Sequence, residues 1–312
     1  MVKDFQTYIN EGLFDRSQSE FNIGKTSRGV EQVYIPKTKE ELYKYIDLDI
    51  EQAKKDGTYP NIDLNNIDVS EFGKYDLEDL FNDNTYRQIN PDISSWNIEY
   101  IPSRFFDGNK QMKEFTIPNS VTGIGKEAFA NCSSLTTVTI PNSVTTINDF
   151  AFSHCGSLKS VTIPDGVTVM GYDAFHYCLG LTDINIETNN PNYCSVEGVL
   201  FSKDKMTLIL YPAGRRGTYT IPNGVEVIGN SAFEWCSRLT SIVIPDSVTY
   251  IGWDAFANCT GLTSVTIPDS VTNIGYRAFQ YCGGLKSVTI PKHCRIEKNS
   301  FPKNCKIIRK DD

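Results

Sequence analysis

The sequence holds few of the residues on which catalysis and metal binding usually rest, with three His and four Met in 312 residues. It contains no C-x-x-C pair, no H-E-x-x-H, no P-loop and no G-x-S-x-G, so the common redox, zinc-hydrolase, nucleotide and acyl-transfer signatures are missing. His154, His176 and His293 stand at different offsets and do not stack into a metal site. The carboxylates are scattered through solvent positions, so no acid/base pair can be nominated. The expectation is a protein that is not an enzyme, with no cofactor and no resident metal.

Long apolar runs are missing too. No stretch approaches the roughly 20 apolar residues that span a bilayer, and mean hydropathy is −0.30. The first twenty residues show neither the apolar core nor the small-residue cleavage site of a secretory signal. A soluble chain is expected, cytoplasmic at synthesis, monomeric and not inserted in a membrane. An excess of positive charge is also lacking, because 38 acidic residues outnumber 30 basic ones and the pI is near 5.1. That balance argues against a broad nucleic-acid or anionic-membrane surface. Residues 1–116 hold 22 acidic and 14 basic side chains, so the net charge of −8 belongs to this part and the remainder is neutral overall.

What the chain does have is a repeat. Ile117-Pro118, Ile140-Pro141, Ile163-Pro164, Ile221-Pro222, Ile244-Pro245, Ile267-Pro268 and Ile290-Pro291 mark coils 23 residues apart, with one longer gap. The shared pattern is I-P-x-x-V-T-x-I-G-x-x-A-F-x-x-C-x-x-L-x-x-V-x. Val121, Ile124, Gly125, Ala128, Phe129, Cys132, Leu135 and Val138 recur as Val248, Ile251, Gly252, Ala255, Phe256, Cys259, Leu262 and Val265. Leu135, Val138 and Ile140, set among threonines, read as a short strand with aliphatics inward. Val-x-x-Ile-Gly gives a second extended segment. The Ala-Phe-x-x-Cys-x-x-Leu run has the three-residue spacing of a short helical turn. One coil cannot bury its own aliphatic edge, and stacked coils bury one another's.

These residues closely resemble the 23-residue leucine-rich repeats of the BspA type, found in surface proteins of bacteria and some parasitic protists. The resemblance covers about 117–305. It implies a curved leucine-rich-repeat β-solenoid, used for protein binding or adhesion and not for catalysis. Upstream, Ile101, Phe105-Phe106, Met112 and Phe115 fall on the repeat columns, with Asn109 in place of Cys. The segment Asp92-Ile93-Ser94-Ser95-Trp96-Asn97-Ile98 resembles a related repeat of bacterial and mycoplasma surface proteins, and a weaker copy begins near Ile67. Divergent repeats are therefore expected over 61–116 and BspA-type repeats over 117–312, with a C-terminal cap at about 290–312. Ile186 and Ile221 lie 35 residues apart, 12 more than a coil. Within this insertion, about 187–220, residues 198–201, 202–205 and 207–211 read as strand, turn and strand, a hairpin projecting from the solenoid either as a structural tab or as part of a binding face.

Residues 1–60 read as an arm. Thr38-Lys39-Glu40-Glu41 is a capping box, and Leu42, Ile46, Ile50 and Ala53 then line one face of a helix that would cap the first coil. The first dozen residues resemble the capsid-targeting leader of T-even-type tailed phages. Ile9-Asn10-Glu11 before Gly12 fits its aliphatic-x-Glu cleavage context, and the resemblance implies, as the alternative function, a phage-encoded head-packaged protein matured by cleavage after Glu11; an ordinary amphipathic helix is the other reading of the segment.

Six cysteines (132, 155, 178, 236, 259 and 282) share one column. Equivalent side chains on stacked coils run parallel, which disfavours disulfide geometry, so they read as buried thiols. Other columns hold large aromatics. Tyr172, Trp253 and Tyr276 follow the Gly, Tyr177, Trp235 and Tyr281 precede the Cys, and Tyr250 precedes its Ile. They read either as a stripe for a protein or glycan partner or as semi-buried packing between coils. Arg215 and Arg216, on the insertion, are candidates for steering an acidic partner.

Overall fold

The computed structural model describes Ile93 and residues 98–310. Glu11, Gly12, the arm with its expected capping helix, and the repeats expected before residue 98, apart from Ile93, lie outside the described residues. The described chain is a β-solenoid whose coils have three sides. Apolar residues at two-residue spacing make the first side: β2 (Glu114–Thr116), β4 (Thr137–Thr139), β6 (Ser160–Ile163), β8 (Asp183–Ile186), β12 (Gly217–Thr220), β14 (Leu239–Val243), β17 (Ser287–Ile290) and β19 (Lys306–Arg309). In β4 the pattern is Thr out, Val138 in, Thr out, and β2 pairs with it in parallel, Phe115 opposite Val138.

The Val-x-x-Ile segment makes the second side, in β1 (Tyr100–Ile101), β3 (Gly123–Ile124), β5 (Thr146–Ile147), β7 (Val169–Met170), β13 (Val227–Ile228), β15 (Tyr250–Ile251), β16 (Asn273–Ile274) and β18 (Arg295–Ile296). The register is one repeat per strand: Ile101 pairs with Ile124, Ile124 with Ile147 and Ile147 with Met170. Before β3, β5, β7, β15 and β16 a threonine donates its hydroxyl to the coil before, as Thr145 does to the Thr122 carbonyl at 3.1 Å and Thr272 to the Thr249 carbonyl at 3.1 Å.

The third side corrects the expectation of helical turns, because among the described residues there is no helix. In Ala-Phe-x-x-Cys the alternate amides divide their bonds. Ala128, Ala130 and Cys132 donate within their own coil, to Gly125, Glu127 and Phe129. Glu127, Phe129 and Asn131 donate to the next, to Asp149, Ala151 and Ser153. A helix would turn every amide onto its own chain. Here Glu127 and Asn131 take left-handed conformations (φ 57° and 59°) that redirect the peptide toward the neighbour, and the three-residue apolar spacing arises from successive tight turns.

The core is built from these columns. Phe129 stacks on Phe152 with ring centroids 5.0 Å apart, and Phe152 on Phe175 at 5.3 Å. The thiols of Cys132, Cys155 and Cys178 are buried and donate to the carbonyls of Phe106, Phe129 and Phe152 at 3.1, 3.2 and 3.1 Å. In the divergent coil Asn109 fills the Cys column, and its Oδ1 accepts from the amides of Gln111 and Met112, both at 2.9 Å.

The insertion does not project. β9 (Tyr193–Val196), β10 (Val199–Ser202) and β11 (Thr207–Leu210) form an antiparallel meander, and β11 pairs in parallel with β13, so the meander continues the second side. The reason is apolarity on both faces of β10, where Val199, Leu200 and Phe201 are all fully buried. Leu200 joins the core of the coils before the insertion, Val199 and Phe201 that of the coils after it. Among the described residues no helix is long and apolar enough to cross a membrane.

Candidate functional site

The insertion coil cuts its third side short. A regular coil spends residues 148–159 between β5 and β6, whereas only residues 211–216 join β11 to β12. The turn ladder therefore breaks. Phe152 donates to the Ala174 carbonyl, and the next bond of that kind runs from Tyr211 to the Ala232 carbonyl. Tyr211 occupies the Phe column and stacks on Phe233 at 4.9 Å. The missing turns leave a cleft of about 250 Å³ between the turn side of 172–177 and that of 230–234, floored by Leu200, Leu210 and Tyr211.

The two walls bring several of the sequence-nominated aromatics together. Tyr172 reaches across the gap, its ring stacked on Trp253 at 5.0 Å and its hydroxyl 3.2 Å from Ser231 Oγ. Tyr177 meets Trp235 edge to face at 4.6 Å and stacks on His154 at 4.5 Å. Tyr172 and Trp253 each stay 37 % exposed, so the stacked pair is packed in part and reaches solvent in part. Tyr276 lies under the Arg277 guanidinium at 4.8 Å, and Tyr281 is the most exposed of the set at 63 %. Tyr250 is set apart in β15 on the second side, and no ring contact joins it to the others among the described residues. Arg216 is exposed. Arg215 is engaged internally, donating to the Thr182 carbonyl at 2.6 Å, to Asp183 Oδ1 at 3.1 Å and to the Glu197 carbonyl.

The comparisons with known proteins agree with this architecture. The pattern described as the BspA type leucine rich repeat region matches residues 77–207 and 217–310, in six copies. The chain belongs to the BspA-type leucine-rich repeat family. Three solved structures are similar to it. The pneumococcal vaccine antigen PcpA is 26 % identical with a TM-score of 0.61, over 72 % of this chain and 63 % of that one. A leucine-rich repeat protein of Eubacterium ventriosum is 26 % identical with a TM-score of 0.55, over 68 % of this chain and 61 % of that one. A leucine-rich cell surface protein of Faecalibacterium prausnitzii is 28 % identical with a TM-score of 0.54, over 72 % of this chain and 66 % of that one. The chain thus spans less than two thirds of the length of these relatives. No curated protein matches it.

Within this BspA-type solenoid, one group at the cleft was not singled out by sequence reasoning. His176 Nδ1 lies 3.7 Å from Asp173 Oδ2 and 3.5 Å from Glu234 Oε2. Burial pushes Asp173 up to about 6 and Glu234 up to about 7, and pushes His176 down to about 4. Asp254 and Asp149 add repulsion to Asp173, and the Arg277 charge opposes burial at Glu234 and Asp254. The imidazole is therefore neutral near pH 7, and its contacts with the two acids are not ion pairs. The signal was present in the register. His176 and Glu234 both stand one place after the Phe, on coils separated by 58 residues because the insertion coil skips this side.

Proposed function

We propose that the chain is a non-enzymatic interaction module that binds a protein or glycan partner through the aromatic cleft. The observation that carries this reading is the pairing of Tyr172 with Trp253 and of Tyr177 with Trp235 across the gap, where the first pair is exposed and the second partly buried. Rings held in this way lose little conformational freedom on binding and present flat apolar area beside polar tips, which suits protein hot spots and sugar faces alike. The description of one similar protein as a cell surface protein and of another as a vaccine antigen supports an adhesion or recognition role. The test is to screen the chain against an immobilised glycan panel and a panel of purified surface proteins. Trp235→Ala, Trp253→Ala and Tyr276→Ala are then combined, with an expected loss of at least about tenfold in affinity. Unchanged affinity for the captured partner would remove this face from consideration.

A further inference from the structure

From the geometry of the cleft we infer that Asp173, His176 and Glu234 form a binding site for one divalent transition-metal ion of the zinc or manganese class. One ligand atom from each of the three lies within 4.8 Å of the other two. Metal–nitrogen and metal–oxygen bonds of about 2.0–2.2 Å in a tetrahedral arrangement place neighbouring ligand atoms about 3.4 Å apart. The observed 3.5 and 3.7 Å from His176 to the two acids are close to this, and the acids lie within 4.8 Å of each other, so the two walls need to draw together for a tetrahedral set. An imidazole nitrogen with two carboxylates favours the transition metals over calcium or magnesium, which prefer oxygen donors throughout.

The backbone holds the three in place. The His176 amide donates to the Asp173 carbonyl at 2.9 Å, closing a turn, and the Glu234 amide does the same to Ser231 at 2.9 Å in the facing wall. Asp173 is fixed further by its left-handed φ of 52°. The His176 ring is bounded by the His154 ring at 5.9 Å and the Phe150 ring at 6.3 Å, which restrict its rotation. Three protein ligands leave a fourth position, and all three residues line the cavity, where water or a partner's donor atom can fill it. Negative charge gathers at this point: Asp149 and Asp254 repel Asp173, Asp173 and Asp254 repel Glu234, and the Arg277 cation, which lies over the Tyr276 ring, acts on Glu234 and Asp254. A dication bridging the walls would clamp the cleft at the point where the turn ladder is broken.

The site does not depend on the partner-binding reading, and it is tested without a partner. The full chain, stripped of metal with a chelator and kept reduced, is titrated with Zn²⁺ by calorimetry and with Co²⁺ by visible absorption. One equivalent is expected, with Co²⁺ ligand-field bands of a nitrogen and oxygen set and no thiolate charge-transfer band, since nine cysteines offer a competing route. His176→Gln and Glu234→Gln, near-isosteric changes checked for folding by circular dichroism, should each weaken Zn²⁺ at least about tenfold. Asp246→Asn, an exposed acid on another side, should leave it unchanged. Should either glutamine variant fail to fold, Asp173→Asn is the second test. Absence of stoichiometric binding, a thiolate charge-transfer band, or equal affinity in the folded ligand variants would overturn the assignment.

Discussion

Replacing Phe256 by Ala measures what the aromatic column contributes to the stack. Phe256 is fully buried between Phe233 and Phe279, with centroids 4.7 and 4.8 Å away and ring planes within 14° and 7° of parallel. Truncation of a buried Phe costs about 3–5 kcal/mol, and each ring pair carries about 0.5–1.5 kcal/mol beyond area burial. Phe175 is the comparison. It is 3 % exposed, and the break in the column leaves it stacked on one ring, Phe152. It also lines the cleft, so the space left by Phe175→Ala opens into an existing cavity that water can enter. One ring pair fewer and an easier relaxation should make Phe175→Ala cheaper by about 1–2 kcal/mol. Urea unfolding followed by tryptophan fluorescence is the assay, with Trp235 and Trp253 reporting on the coils that hold Phe233 and Phe256 and circular dichroism on the whole. An equal cost at the two positions, or a larger one at Phe175, would refute the view that the column stabilises pairwise and stops at the insertion.

Further outcomes follow from the insertion and its cleft. Glu197 and Gly198, with φ 49° and 74°, form the two-residue turn between β9 and β10. A Cβ on Gly198 would lie 2.5 Å from Arg215 Nη2 and 2.6 Å from Asp183 Oδ1. Gly198→Ala should therefore cost at least about 1–2 kcal/mol in chemical denaturation, and a neutral effect would show that Arg215 does not need its present position. The pH response of the metal-free chain has a definite sign above about pH 7. The folded pKa of Glu234 is raised to about 7, so the folded state holds more protons than the unfolded one and stability falls as pH rises toward 8. His176, held down at about 4, is neutral in the folded state but still partly protonated in the unfolded chain near pH 6.5, so it opposes this slope at the low end of the window and fades as the pH rises. Thermal midpoints taken from pH 7 to 8 should decline, and Glu234→Gln should make the decline shallower, the buried thiols of Cys132, Cys155, Cys178 and Cys259 keeping part of it. An unchanged slope in that variant would assign the effect elsewhere.

The repeat columns were legible because each serves one need that recurs every 23 residues. Val138, Ile124 and Phe129 are buried for the same reason in every coil, so their spacing is visible without coordinates. The conformation of the Ala-Phe-x-x-Cys run was not, since helix and successive turns share a three-residue apolar spacing. What decides between them is the inter-coil bonding of Glu127, Phe129 and Asn131, a long-range property. The hairpin strands were legible, but not their direction, because the sequence cannot say which neighbour buries Leu200. The aromatics stood out by type, whereas Asp173, His176 and Glu234 look like ordinary surface residues until the insertion coil is known to skip their side.

The position of the cleft bears on how such a chain can change length. Its walls come from the coils that flank the insertion, with Trp253 one coil further on stacked against Tyr172, and every other coil contacts chiefly its own neighbours. Whole units of 23 residues can be gained or lost toward either end without altering the spacing across the gap. Duplication and deletion would then tune reach and display height while the recognition surface is inherited unchanged.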